Sequence, residues 1–393
     1  MTRRPTIDRA VGIGLFLVAA SFFVFLVSAW YFDAGRGDFF YLADAFLHGR
    51  AWLDFAPGPA DVIVIDGRFY VPFAPFPAIA LMPLVALIGP VTADHIEPAI
   101  NAALAAASVG LSWWCLARMG VTNIRSRVWL VVLFAFSTQI LWVTTRGGVW
   151  HTGHLIATIL TFACLIELWG SRRAWLIGLL AGAAFLTRAP LAFAIPFYAL
   201  LLMPSPREIP WRSWVWLTAG VVPSIVAFFL YNQIRFGSPF ESGYGLASLP
   251  EFLENLRRQG LFSIAHIQMN LDYLFLHLPT FVAKPWFIYP DGLGMSILLT
   301  SPGLFYAVRA DWRQRSSWLL LGAVIAVLIP TLLYYGGGWL QYGYRYFLDS
   351  VPFVIALCGS AAAMRGRIGL GWRILIVVGV IVMARGVLWA YGL

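Results

Sequence analysis

Twenty uncharged, mostly apolar residues run from Val11 to Trp30, and the rest of the chain keeps returning to that pattern. Apolar stretches at roughly 97–117, 128–145, 150–168, 174–188, 189–203, 214–231, 293–308, 317–335, 345–363 and 372–391 alternate with connections that carry most of the charge. A run of about 18 or more apolar residues has the length of a helix that crosses the hydrocarbon core. The pattern predicts an all-α polytopic membrane protein of about 11 transmembrane helices, with 1–393 as one integral membrane domain and no soluble module. The piece from Phe76 to Pro90 differs. Pro75, Pro77, Pro83 and Pro90 bound or interrupt it, which predicts a re-entrant or juxtamembrane helix. Thr187-Arg188-Ala189-Pro190 breaks the stretch 174–203, so two short helices should meet near one surface. Two long polar segments remain, 32–96 and 232–292.

Composition agrees: 60% of the residues are hydrophobic and 11% charged. The net charge of +9 does not indicate a nucleic-acid partner, because the arginines are scattered in pairs and triplets and form no contiguous basic face. Orientation explains them better. The N-terminal segment and the short loops 118–127, 169–173, 204–213, 309–316 and 364–373 hold most of the 27 basic residues, but only Asp8, Glu208 and Asp311 among the 18 acids. Excess arginine in short loops marks the cytoplasmic side. The expectation is a multi-pass protein of the inner (plasma) membrane with its N-terminus inside and both long polar segments outside. Arg3, Arg4 and Arg9 before the first run resemble a secretory signal, but the run's length and the spans after it favour a retained helix. Cys115, Cys164 and Cys358 lie in or at the ends of apolar runs, which predicts buried thiols and no disulfide or metal framework.

The external stretch GDFFYLADAFLHGR, 37–50, places two acids just after the first span. Tyr41, Asp44, Ala45 and His48 share one helix face. Two readings fit: an interfacial amphipathic helix, or a catalytic loop over a lipid-facing cavity. Four further external features fall near it in this topology. They are Asp66–Phe73 with Arg68 and Tyr70, Thr144–His154 with Arg146, His151 and His154, Leu186–Pro190 with Arg188, and Gln341–Asp349 with Arg345. In the second long segment, LPEFLENLRRQGLF (249–262) sets Leu249, Phe252, Leu253 and Leu256 on one stripe, as in an interfacial helix or a lid. There is no internal repeat and no Walker or dinucleotide motif.

These features in this order resemble the GT-C superfamily of membrane glycosyltransferases, close to the protein O-mannosyltransferase and aminoarabinose transferase-like enzymes. The resemblance rests on an N-terminal span leading to an external helix with an early acid and a Y-x-x-x-A core. It continues in G-R-x-Y-x-P-x-x-P-x-P at 67–77, in G-L-x-x-G-x-x-F-L-T-[KR]-x-P at Gly178–Pro190, and in the late Arg345-Tyr346. It covers most of 1–203, with a more variable region 204–393.

The resemblance implies transfer of a sugar, with inversion, from a polyprenyl-phosphate carrier to a hydroxyl or amine of a glycolipid, polysaccharide or protein acceptor. A hydroxyl needs a carboxylate to take its proton, and the departing lipid phosphate needs a fixed cation. Asp38 is the expected base, with Asp44 second and Asp33 third. Arg188 is assigned to the carrier phosphate, with Arg345 and Arg146 as alternates, since an arginine's fork binds two phosphate oxygens at once. His154 and His151 stand where much of the family has an acid, and bind acceptor or phosphate; a divalent metal is the less favoured reading, since a third ligand is not visible. One family branch carries K-P-P where this chain has Phe73-Ala74-Pro75-Phe76-Pro77, so the lysine's role would pass to Arg68, Arg188 or Lys284. The alternative function is a transporter or flippase for a lipid-linked or small polar substrate, for which intramembrane prolines speak but inverted repeats are missing. A third is a degenerate, non-catalytic scaffold.

Overall fold

The computed structural model describes every residue except 1–3, 31–36, 57–60, 284–287 and 393. Asp33 and Lys284 therefore lie outside the described residues. The chain is mostly helical, at 69%. Helix α1 (Arg4–Ala29) leads to a long connection holding α2 (Asp38–Leu47), the antiparallel hairpin β1 (Ile63–Ile65) and β2 (Arg68–Tyr70), α3 (Phe76–Ile88) and α4 (Pro90–His95). Then come α5 (Glu97–Arg118), α6 (Ile124–Phe136), α7 (Gln139–Arg146), α8 (Val149–Leu168) and α9 (Ala174–Phe185). A 3-10 turn, Ala189–Ala194, enters α10 (Ile195–Leu201), and α11 (Trp211–Phe236) follows. The second long connection holds α12 (Glu251–Arg257), α13 (Ile267–Leu271) and the pair β3 (Thr280–Phe281) and β4 (Ile288–Tyr289). The chain ends with α14 (Ile297–Thr300), a 3-10 segment Pro302–Arg309, α15 (Arg315–Leu333), a 3-10 turn Arg345–Asp349, α16 (Val351–Arg365) and α17 (Leu370–Ala390).

Among the described residues, six helices are long and apolar enough to cross a membrane, or seven if α6 and α7, bent by 43°, count as one. Prolines explain where the pattern of long runs breaks into shorter pieces. The run 293–308 folds as α14 and a 3-10 segment, because Pro302 has no amide hydrogen to continue a helix. Helix α3 has 13 residues, about 20 Å of rise against the about 30 Å of hydrocarbon. At the centre stands α8, whose apolar stretch is 83% buried, whereas α11 buries only 17% of its own. The outward apolar faces of such helices suit contact with lipid.

The helix ends gather into two rims. At one, Ser126 Oγ donates to the Gly366 carbonyl at 3.1 Å, Arg172 Nη2 to that of Leu201 at 2.9 Å, and Arg315 Nη1 to that of Met203 at 3.5 Å. These join the arginine-rich short loops. At the other rim, Thr145 and Tyr391 bond to Ser28, the Phe76 amide donates to the Leu186 carbonyl at 3.1 Å, and the Ser263 amide donates to that of Leu333 at 2.8 Å. Both long connections join this second rim.

Helices α9 and α11 run parallel and touch through glycines. A Cβ on Gly178 would meet the Leu217 carbonyl oxygen at 2.1 Å, and one on Gly220 would meet that of Trp175 at 2.2 Å. Gly178 and Gly182 form a G-x-x-x-G face, the small-residue pattern that lets membrane helices approach backbone to backbone. Gly220→Val should destabilise the protein by ~1–3 kcal/mol through overpacking, read as a lower unfolding temperature in detergent. Gly371→Ala inside α17, where an added Cβ meets nothing within 4 Å, should not lower it.

Candidate functional site

Arg188 follows the end of α9. Thr187 Oγ1 bonds back to the Ala183 carbonyl at 2.8 Å, the Arg188 amide donates to that of Ala184, and Pro190 then forbids a continuous helix. The break turns the guanidinium inward. Its Nε donates to Asp349 Oδ2 at 2.7 Å, and Asp349 Oδ1 takes a second hydrogen bond from His154 Nδ1 at 2.9 Å. The Asp349 side chain is 1% exposed and that of His154 0%, while that of Arg188 keeps 18%. Among the described residues, Nη1 and Nη2 of Arg188 have no hydrogen-bond partner, so the fork faces the accessible side. Because the carboxylate only accepts, the His154 proton sits on Nδ1 and its Nε2 is an acceptor. That Nε2 is buried without a partner.

His151 repeats the arrangement one turn earlier on α8. Its Nδ1 donates to the Gly147 carbonyl at 2.5 Å, and its Nε2 is likewise buried and unmet. Gly147 and Gly148, at φ 59° and 83° with extended ψ, make the reversal between α7 and α8. That backbone region is essentially closed to side-chain-bearing residues. The Gly148 amide donates to Glu97 Oε1 at 2.8 Å, and Asn101 and Thr152 bond to the same oxygen. An acid thus does reach the second polar loop, but from the start of α5, where a charge at a helix end is the sole local cue.

Arg345 completes the wall. Its Nη1 donates to the Trp339 carbonyl at 2.8 Å, its Nη2 to the Tyr346 hydroxyl at 3.4 Å, and its Nε is buried without a partner. Arg188 and Arg345 both lie over the Tyr346 ring, at 5.4 and 5.0 Å. Tyr344, Tyr334, Tyr335 and Tyr244 extend this aromatic surface, with centroid spacings of 4.6–6.4 Å. Asn270 fastens it, donating to the His266, Leu332 and Tyr334 carbonyls and accepting from the Tyr344 hydroxyl. Burial pushes the Tyr244 phenol up to about 12, against the pull of Arg188, so it remains a neutral donor.

Five residues expected at a site therefore share one neighbourhood: His151, His154, Arg188, Arg345 and Arg146, the last residue of α7, whose charge bears on His151. Asp38 opens α2 and is fully buried. Its neighbour Phe39 packs on α8, 3.9 Å from where a Cβ on Gly153 would stand, so the first turn of α2 lies next to the His154 turn.

Asp44, Tyr70 and Arg68 are placed elsewhere. Asp44 is half-buried, about 120° round α2 from Asp38, and its carbonyl takes His48 Nδ1 at 2.9 Å. Tyr70 packs on Phe236 with centroids 5.7 Å apart, beside the buried Arg235, which holds the Val71 carbonyl at 2.9 Å. Arg68 lies exposed over Trp52 at 4.1 Å. Among the described residues, neither has a hydrogen bond or ring contact with the Arg188 cluster, since Tyr70 is held at Phe236 and Arg68 at Trp52. Within the next loop, the Phe76 amide reaches the Leu186 carbonyl, two residues from Arg188. The seven-residue α12 presents Phe252, Leu253 and Leu256 to a hollow of about 280 Å³ floored by Gly337, Gly338 and Trp339.

Asp349 was missed as a site residue because it reads as the end of an aromatic stretch at a helix mouth. Among the described residues, no group of three or more His, Cys, Asp or Glu is gathered to hold a metal ion. Compared with protein-family models, curated proteins and solved structures, the chain matches none.

Proposed function

We propose that the protein is a membrane glycosyltransferase that moves a sugar from a polyprenyl-phosphate carrier to an acceptor hydroxyl or amine at the rim bearing Arg188. The observation that carries this is the Arg188 fork. Asp349 holds it by Nε alone, leaving both Nη groups on the accessible side. A guanidinium fixed in that way presents two parallel donors to phosphate oxygens and never deprotonates. As the carrier phosphate departs it gains charge, and a preorganised cation stabilises it most at that moment. The unmet Nε2 atoms of His151 and His154 and Nε of Arg345 lie buried behind this surface, and the tyrosines offer flat surfaces for the C–H faces of a sugar ring. Phe73–Pro77, where a relative would carry lysine, abuts the Arg188 break, which favours Arg188 over Arg68 for that role.

The alternation of helix ends between the two rims supports about 11 crossings, with α6 and α7 as one and the shorter segments at 174–185, 189–201, 297–309 and 345–365 as the rest. The rim of short arginine-rich loops is then cytoplasmic and the Arg188 rim external, in the inner membrane. The broken helices also suit a transporter or flippase. Their charges, however, gather at one rim rather than at the midplane, where transporters bind substrate.

The deciding experiment places purified protein in liposomes with radiolabelled polyprenyl-phosphate sugars and glycolipid acceptors. Time-dependent transfer of label to an acceptor is the expected result. Movement of the labelled lipid between leaflets without transfer would establish the flippase instead, and neither would leave the scaffold.

A further inference from the structure

At the rim opposite Arg188, the parallel contact of α9 and α11 brings their first residues side by side. Between them lies an open hollow of about 590 Å³, lined by Arg172, Ala174, Trp175, Arg212, Ser213 and Trp216. That volume falls within the about 300–1,000 Å³ typical of small-ligand sites. Among the described residues, no carboxylate lines it. Arg173 next door is neutralised by Glu167 through two hydrogen bonds of 2.9 Å, whereas among the described residues neither arginine of the hollow has a carboxylate partner. Arg172 gives Nη2 to the neutral Leu201 carbonyl, and Arg212 lies over the Trp211 ring at 5.4 Å. Trp175 and Trp216 are 47% and 60% exposed, beside the outward apolar face of α11.

Two unneutralised guanidinia in a hollow create a demand for an anion. Exposed indoles at a helix end are placed for the lipid headgroup layer, and basic pockets between membrane helices are suited to anionic headgroups. We infer that this hollow binds the phosphoryl headgroup of an anionic phospholipid. Arg172 and Arg212 take the phosphate oxygens, Ser213 adds a hydroxyl donor, and Trp175 and Trp216 flank the glycerol and upper acyl chains. The inference does not depend on the sugar-transfer reading, since it concerns the other rim.

The test is native mass spectrometry of the full-length protein in detergent, titrated with phosphatidylglycerol or phosphatidylcholine. The wild type should retain phosphatidylglycerol about 10- to 30-fold more strongly, the contribution expected of two arginines. Arg172→Gln with Arg212→Gln should reduce that preference to near unity, whereas lysine at both positions should keep most of it. Both side chains are on the surface, so the lipid-free unfolding temperature should be unchanged, which separates loss of the site from loss of the fold. Equal retention of the two lipids, or a preference undiminished in the glutamine variant, would overturn the inference. Displacement of phosphatidylglycerol by excess inorganic phosphate would overturn the lipid assignment and make this a site for soluble phosphate.

Discussion

Asp349→Asn is expected to destabilise the protein by ~3–5 kcal/mol, the usual consequence of removing one partner from a buried ion pair. Asp349 is the anion between Arg188 Nε at 2.7 Å and His154 Nδ1 at 2.9 Å, and its side chain is 1% exposed. Asparagine keeps the size but removes the buried negative charge that Arg188 Nε and His154 Nδ1 share, and leaves the partly exposed guanidinium without its counter-ion. The measurement is thermal or denaturant unfolding in detergent. A double variant, Arg188→Gln with Asp349→Asn, should recover part of the loss, because no buried charge is then left over. Wild-type stability in Asp349→Asn would mean that the triad does not hold the break between α9 and α10 in place.

Such a triad explains why some of the site was legible in the chain and some was not. Arg188 could be read because a cation at a proline-marked break between two short apolar runs has few roles. The histidines could be read because His151 and His154 lie three residues apart on one helix face. Asp349 could not, because it is 161 residues from Arg188 and nothing local distinguishes it from an acid at a helix mouth. Glu97 was hidden in the same way: at the head of α5 it looks like a helix-terminal charge, and only packing brings it to the Gly148 amide. The long apolar runs were plain. Their division was less so, because Pro302 and Pro352 start helical segments within apolar runs that look continuous. Arg68 and Tyr70 were grouped with the site by motif order, yet hairpin register, pairing Ile63 with Tyr70, sends them to Trp52 and Phe236. Periodicity and sidedness are local properties of sequence; which charges meet across the bundle is not.

The chemistry itself is best tested at Asp38. If the sugar-transfer reading holds, Asp38→Asn should lower transfer by about 10²–10⁴-fold, the usual contribution of a positioned general base. Asparagine nearly matches aspartate in shape but takes no proton, and Asp38 sits in the first turn of a short helix packed against the His154 turn of α8. Asp38 is fully buried, so the variant's unfolding temperature is measured alongside, and transfer is compared at a temperature where both proteins are inserted and folded. Asp44→Asn is the matched control: the residue is half-buried on another face of α2, engaged with His48, and its loss should change the rate only a few-fold. Full transfer by Asp38→Asn would remove Asp38 from the mechanism. The imidazoles of the cluster are then the next acceptors to test, first His154, with Nδ1 anchored on Asp349 and Nε2 bare, and then His151, anchored on the Gly147 carbonyl. His154→Asn would in that case carry the loss, and with His151→Asn beside it the three variants assign the base to one side chain.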